Sequence, residues 1–128
     1  KEDKESVPNR ALMAEFYLEM SRVLMMREDA EPGKNHLLNA TVAMTEGVKL
    51  YSGLAEEHPK DSLWTVRLAR CYCETATLMR KRNQYKDASE YESGARKSLA
   101  ALKATGPHSE EVMAEMEELE KLLSEGPH

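Results

Sequence analysis

The sequence predicts an all-α protein, an antiparallel stack of about five helices in a single domain. Apolar residues recur at three- and four-residue steps along five segments of the 128-residue chain, which is the spacing of one helix face. Turn signals built on Pro, Gly or a polar run separate these segments. The composition agrees, because hydrophobic residues make up 41% of the chain and aromatic residues only 5%, a balance that favours helices over strands.

The first helix is predicted to run from Asn9 to about Arg27. Residues 1–8 are mostly charged or small and are expected to form a flexible N-terminal segment. The apolar residues of the helix recur on one side: Leu12, Phe16, Met20, Val23 and Leu24. The sequence EDAEPG at residues 28–33 predicts a loop, because Pro and Gly interrupt a helix.

A long second helix is predicted from about Lys34 to Glu57. It ends there because His58 precedes Pro59, and the residue before a proline avoids helical geometry. Its apolar side consists of Leu37, Ala40, Thr41, Met44, Val48, Tyr51, Leu54 and Ala55. The connection to the first helix is short, so the two are expected to form an antiparallel hairpin.

The third and fourth helices are predicted to form a second hairpin. Asp61 or Ser62 would cap the third helix, since short polar side chains accept hydrogen bonds from the first helical turn. A polar stretch at residues 80–84 separates it from the fourth helix, which begins at Tyr85.

A fifth helix is predicted after the cap residue Ser109, beyond the break at Gly106 and Pro107. The predicted domain of residues 9–125 therefore has three parts: a first hairpin at 9–59, a second hairpin at 61–107 and a capping helix at 109–125.

Two parts of the chain match each other at a spacing of about 50 residues. Residues 17–24 align with residues 72–79, and the helices that follow align as well. The matched pairs in those helices and beyond are Ala40 with Ala88, Gly47 with Ala95, Leu54 with Leu102, and Pro59 with Pro107. Small residues in such pairs would allow two helix backbones to approach closely.

The second copy resembles a tetratricopeptide repeat (TPR). The residues that carry the resemblance are Tyr72, Thr75, Ala76 and Met79 on its first helix, and Ala88, Glu92 and Ala95 on its second, which opens with the tract YKDA. The first copy offers Tyr17, Met20, Ser21, Leu24, Ala40, Met44 and Gly47. The chain departs from the family in its repeat spacing, which is about 50 rather than about 34 residues. Glu92 is a second departure, since a bulky apolar residue is usual there.

The resemblance implies a right-handed superhelix in which the first helix of each hairpin lines a concave groove and the fifth helix is a polar-faced cap. It also implies a non-enzymatic module that binds a peptide or protein segment in that groove. The implied groove residues are Glu15, Leu18, Arg22, Met25, Met26, Arg70, Cys73, Thr77, Arg80 and Lys81. Within this set an apolar patch (Leu18, Met25 and Met26) would lie beside a cationic patch (Arg22, Arg70, Arg80 and Lys81). Such a surface would suit a ligand with acidic and apolar residues, because arginine pairs well with carboxylates.

Charge is distributed unevenly along the chain. Residues 66–103 hold nine basic and four acidic residues, whereas residues 109–125 hold seven glutamates and one lysine. One interpretation is that these residues form solvated helix faces. The other is a basic groove beside an acidic capping helix.

A structural domain is the second functional interpretation. Such a domain would pack against itself or against a neighbouring domain, with Leu63 and Trp64 supplying the apolar contact. The chain begins at Lys1 rather than Met, so we expect it to be part of a larger protein.

Enzymatic and metal-binding functions lack their usual residue patterns here. The sequence has no Gly-rich phosphate loop, nucleophile elbow or HExxH motif, and its four histidines include no pair at i, i+4. We therefore expect no catalytic residue, no metal site and no cofactor. The net charge of −5 argues against nucleic-acid binding, which needs a basic surface.

The location of the protein is inferred from its cysteines and its hydropathy. Cys71 and Cys73 are two residues apart and point to different sides of a helix, so they are not expected to form a disulfide. Free cysteines indicate a reducing intracellular compartment, the cytoplasm in the simplest case. No apolar run approaches the roughly 20 residues that cross a bilayer, so no membrane insertion is expected.

Overall fold

The computed structural model describes residues 6–125, and this part of the chain folds into five α-helices without a β-strand. The helices are α1 (Val7–Ala30), α2 (His36–Glu57), α3 (Ser62–Lys81), α4 (Tyr85–Ala104) and α5 (Glu110–Ser124). The predicted all-α class and the number of helices are therefore confirmed.

The α1 helix is longer at both ends than predicted. The Ser6 hydroxyl accepts a hydrogen bond from the backbone N–H of Asn9 at 3.2 Å, and a proline is tolerated in the first helical turn. Val7 and Pro8 are therefore helical, so α1 begins within the segment predicted to be flexible, while residues 1–5 of that segment lie outside the described part. The helix continues to Ala30, so half of the predicted 28–33 loop belongs to it.

The remaining helix boundaries follow from caps and from left-handed residues. Asp61 caps α3 by accepting a hydrogen bond from the backbone N–H of Leu63, and Ser109 caps α5 in the same way through Val112. Asparagines at positions 35 and 83 adopt positive φ angles of 62° and 63° just before α2 and α4. Asparagine tolerates this conformation better than most residues, which explains why a break without Pro or Gly can separate α3 from α4.

Each helix packs against the next one in the chain, and α5 packs mainly on α3 and more lightly on α4. One core cluster joins α1, α2, α3 and the start of α4 around Leu18, Tyr51 and Leu78. A second cluster joins α3, α4 and α5 around Val66 and Leu119. The α3 helix contributes to both clusters and is the central element of the stack.

Small side chains lie where the sequence repeat predicts them. The five positions are all buried: Ala40, Gly47, Ala76, Ala88 and Ala95. At Gly47 a Cβ atom would lie 3.0 Å from Cδ2 of Leu18 and 3.5 Å from the carbonyl oxygen of Ala14. The absence of a side chain at this position lets α1 and α2 approach closely.

The buried side of α1 is not the one that its large apolar residues indicate. The residues that face the core are Ala14, Leu18, Ser21 and Met25. Of the residues assigned to the apolar side, Leu12, Phe16, Met20 and Val23 are exposed, and Leu24 is half-buried. The α1 helix thus carries apolar residues on two opposite sides, and the side with two small residues packs against the rest of the protein.

Candidate protein-interaction surfaces

Two of the ten predicted groove residues belong to the core. Leu18 is fully buried against Gly47, and Met25 is 8% exposed. The predicted apolar groove patch is therefore wrong for both, because both side chains are buried in the core cluster around Leu18 and Tyr51. Met26, the third member of that patch, is 70% exposed.

The predicted cationic patch is a set of ion pairs rather than a row of unpaired arginines. Arg22 donates to both carboxylate oxygens of Glu74 on α3, through Nε at 2.9 Å and Nη2 at 2.8 Å. Arg70 donates to Glu15 on α1 and approaches Glu115 on α5, with 3.4 Å between Nη1 and Oε1. These pairs connect α1, α3 and α5, so the arginines are occupied within the fold.

Glu15 is the point where α1, α2 and α3 meet through polar groups. The hydroxyl of Tyr51 and the guanidinium of Arg70 both donate to its carboxylate. Burial raises the pKa of Glu15, but the hydrogen bond from Tyr51 and the charge of Arg70 outweigh this effect and lower it. Burial, followed by the hydrogen bond to Glu15, raises the pKa of Tyr51. Glu15 is therefore a structural ionised group rather than a free ligand contact.

The acidic helix α5 neutralises part of the basic region of α3. Arg67 donates to Glu115 at 3.0 Å and to Glu111 at 3.3 Å. The Arg67 guanidinium also lies 5.6 Å from the ring centroid of Trp64. The basic segment and the acidic helix are thus adjacent, as the second interpretation of the charge distribution predicted. They form ion pairs with each other, however, so these arginines do not line an open basic groove.

The other four predicted groove residues surround a hollow of about 290 Å³ between α3, α4 and the end of α5. They are Cys73, Thr77, Arg80 and Lys81. Two apolar residues of α5, Leu122 and Leu123, complete its lining together with other side chains. Arg80 forms an ion pair with Glu92 on α4.

The pKa of neither cysteine is lowered. Burial raises the pKa of Cys71 to about 12 and that of Cys73 to about 11. Both are free thiols, Cys71 buried and Cys73 half-buried at the hollow. A thiol with a raised pKa is a poor nucleophile at neutral pH, so the geometry gives no support to a redox or nucleophilic role.

Of the two residues predicted to supply an apolar contact, Leu63 and Trp64, the structure buries Trp64 and leaves Leu63 half-buried. Trp64 is 6% exposed and stacks on Tyr51 with 6.3 Å between ring centroids. Leu63 packs against both core clusters. Trp64 would have to leave the core to contact another chain.

One helix carries most of the exposed large apolar side chains. The α1 outer face, as we name it, consists of Leu12, Met13, Phe16, Met20, Val23 and Met26. Leu12, Phe16 and Met26 are 71%, 61% and 70% exposed. Sequence reasoning assigned four of these residues to the core side of α1. The apolar residues of α1 fall into two separate series with i, i+4 spacing. This pattern could have identified the second apolar face.

Comparison of the chain with protein-family models, with curated proteins and with solved structures found no match in any of the three. Among residues 6–125, no three or more His, Cys, Asp and Glu side chains form a group that could hold a metal ion. No helix in the described part is both long enough and apolar enough to cross a membrane.

Proposed function

We propose that this chain is a non-enzymatic protein–protein interaction domain that binds a partner protein through the α1 outer face. The observation that carries the proposal is the exposure of six large apolar side chains on a single helix face. Contiguous apolar patches of this kind mark protein contacts, because leaving them in water is unfavourable.

The size of the α1 outer face supports this proposal. Its side chains are between 37% and 71% exposed. Taking each side chain at roughly the lower end of the 150 to 250 Å² that an aromatic side chain buries, the six together present on the order of 500 Å² of apolar surface. Largest patches on monomers measure about 300 to 600 Å² and are often functional. The α1 outer face is at the upper end of that range.

A TPR-like hairpin stack remains part of the proposal. Two observations support it: the burial of small residues at the matched repeat positions, and the packing of each helix against the next. Repeat stacks need polar outer faces at their ends. The exposed side of α5 is rich in glutamate, whereas the α1 outer face is apolar, so the α1 end is the one that a partner would cover.

The proposal is tested by comparing which proteins bind the intact domain and its variants. Replacing Leu12 and Phe16 together with Ser should abolish capture of the native partner from an extract of the source cells. Both side chains are exposed, so the far-ultraviolet CD spectrum and melting curve should stay close to those of the wild type. Met113→Ser is the matched control, since Met113 is 56% exposed on α5. Equal capture by the double variant and the control would contradict the proposal.

A second candidate is recognition of a short peptide segment in the hollow between α3, α4 and α5. The specific observation in its favour is that four predicted groove residues line this hollow beside apolar Leu122. Thr77→Trp would fill the hollow from an exposed position. Loss of partner binding in Thr77→Trp, with binding retained in the Leu12 and Phe16 double variant, would favour this candidate over the α1 outer face.

A further inference from the structure

We infer that the partner of the α1 outer face is a second copy of this chain, aligned antiparallel along α1. This inference rests on the function proposed above, because it names the partner of the same surface. Three observations support it: the spacing of the apolar residues, the polar residues at the two ends of the apolar stretch, and the apolar area exposed.

The apolar residues of α1 are spaced so that the helix complements itself when reversed. Met13, Phe16, Met20 and Val23 follow one another at steps of three, four and three residues, the spacing of a coiled-coil seam. This order of steps reads the same in both directions. An antiparallel second copy therefore places Phe16 opposite Met20 and Met13 opposite Val23, so every residue of the seam meets an apolar residue.

The ends of the seam are also self-complementary. The seam continues four residues beyond each end, to Asn9 before Met13 and to Arg27 after Val23. In the antiparallel pair these two polar residues face each other across the interface. The contact is thus apolar over its central part and polar at both ends, as expected of a bounded interface.

Leu12 and Met26 widen the contact on one edge of the seam. They lie fourteen residues apart with Glu19 midway between them, so these three residues share one side of α1. Reversal of the second copy brings Leu12 beside Met26 at both ends of the pair. It also brings the two Glu19 side chains near each other at the centre, where each already pairs with Arg22 of its own helix at 3.0 Å.

The area agrees with what a dimer requires. Two copies of the α1 outer face would bury about twice the surface of one, on the order of 1,000 Å² from six side chains on each copy, and a specific interface buries at least about 1,000 to 1,200 Å² in total. A two-fold dimer uses the same patch on both subunits, which is the simplest way to cover an apolar patch with matching spacing.

Sedimentation of the purified chain tests the inference directly. The wild type should be a reversible dimer whose fraction rises with concentration. Phe16→Glu should raise its dissociation constant at least ten-fold, because it places a carboxylate in the seam, and the control Met113→Glu should not change it. Glu19→Leu should lower the dissociation constant about three-fold or more, since it removes the central like-charge contact. A variant that merely unfolded could not tighten association.

Disulfide trapping tests the antiparallel alignment, in a Cys73→Ser background. Glu19→Cys should form a dimer with itself on oxidation, because the two positions meet near the two-fold axis. Leu12→Cys alone should not, since the two copies of residue 12 would lie about 18 Å apart at 1.5 Å per residue, beyond the reach of a disulfide. Efficient trapping through Leu12→Cys alone would overturn the antiparallel arrangement.

The failure of this inference can be distinguished from that of the proposed function. A wild type that stays monomeric up to about 1 mM, or a dimer that Phe16→Glu leaves unchanged, would overturn the second copy as the partner. In that case capture of a different protein, lost in the Leu12 and Phe16 double variant, would still support the α1 outer face as a binding surface.

Discussion

Arg70 of α3 and Glu15 of α1 form an ion pair between the two helical hairpins, and the Glu15 oxygen that accepts from Arg70 also accepts from the hydroxyl of Tyr51. One carboxylate thus ties α1 to both α2 and α3. The Glu15 side chain is 37% exposed and that of Arg70 is 17% exposed, so solvent weakens this ion pair only in part. The pair is one of the contacts that hold the first hairpin against the second, together with Arg22–Glu74 and the shared core cluster.

The ionisation of Glu15 should make folding stability depend on pH. The folded-state pKa of Glu15 lies below its ordinary value of 4.5, so its contribution is present above pH 4.5 and is lost as the pH falls through the lowered pKa. Glu15→Gln should reduce the free energy of unfolding by about 1 kcal/mol or less at pH 7. The difference should shrink as the pH falls below 4.5. Urea unfolding at several pH values measures this, with exposed Glu56→Gln as the control. A pH-independent difference would contradict the prediction.

Gly47 should not tolerate a side chain, because α1 lies directly against it. Gly47→Leu would force Leu18 and the backbone carbonyl of Ala14 away, and overpacking of this kind costs about 1 to 3 kcal/mol. Gly53→Leu on the same helix is the matched control, since among the described residues only Nη1 of Arg10 lies near its Cβ position, at 3.9 Å. Thermal unfolding should show a clear loss of stability for Gly47→Leu alone. Equal melting temperatures would mean that α1 and α2 are not in close contact.

Ser21 should gain stability when it loses its hydroxyl. Its side chain is fully buried on α1, and its Oγ atom has no hydrogen-bond partner among residues 6–125. The matched position in the second copy of the repeat is Ala76, which is buried as well. An unsatisfied buried hydroxyl costs about 1 to 3 kcal/mol, so Ser21→Ala should stabilise the fold by about 1 kcal/mol more than exposed Ser89→Ala. The control accounts for the helix propensity gained at any Ser→Ala change. Denaturant unfolding compares the two variants.

The helices were predictable from local patterns, because caps, turn residues and apolar periodicity act within a few residues of each other. Ser109 at the start of α5 and Pro59 after α2 mark helix ends without reference to any other part of the chain. The small residues at positions 40, 47, 88 and 95 were also found in advance, since the internal repeat aligned them. The helix ends and the small residues of the repeat can therefore be identified without knowing the tertiary contacts.

The orientation of α1 was not predictable, because the choice between its two apolar sides depends on a different helix. Leu18 is buried since Gly47 leaves space for it, while larger Phe16 remains exposed on the opposite side. Similarly, the arginine at position 70 was assigned to a ligand surface, although Glu15 and Glu115 pair with it inside the fold. Side-chain partners that are far apart in sequence determine both outcomes, and no local pattern reports them.

The two cysteines should react slowly in the folded protein. The pKa of Cys73 is about 11 against an ordinary value of 9.0, which lowers the thiolate fraction at pH 8 roughly hundred-fold. The pKa of Cys71 is about 12, so it should react still more slowly and mainly when the core opens. Reaction with Ellman's reagent at pH 8 measures the rates, and Cys71→Ser and Cys73→Ser assign each phase. In guanidinium chloride both thiols should react quickly, because unfolding removes the burial that raises their pKa values. If Cys73 reacted as fast in the native protein as in the unfolded protein, the prediction would be wrong. The α3 side of the hollow would then be open to solvent.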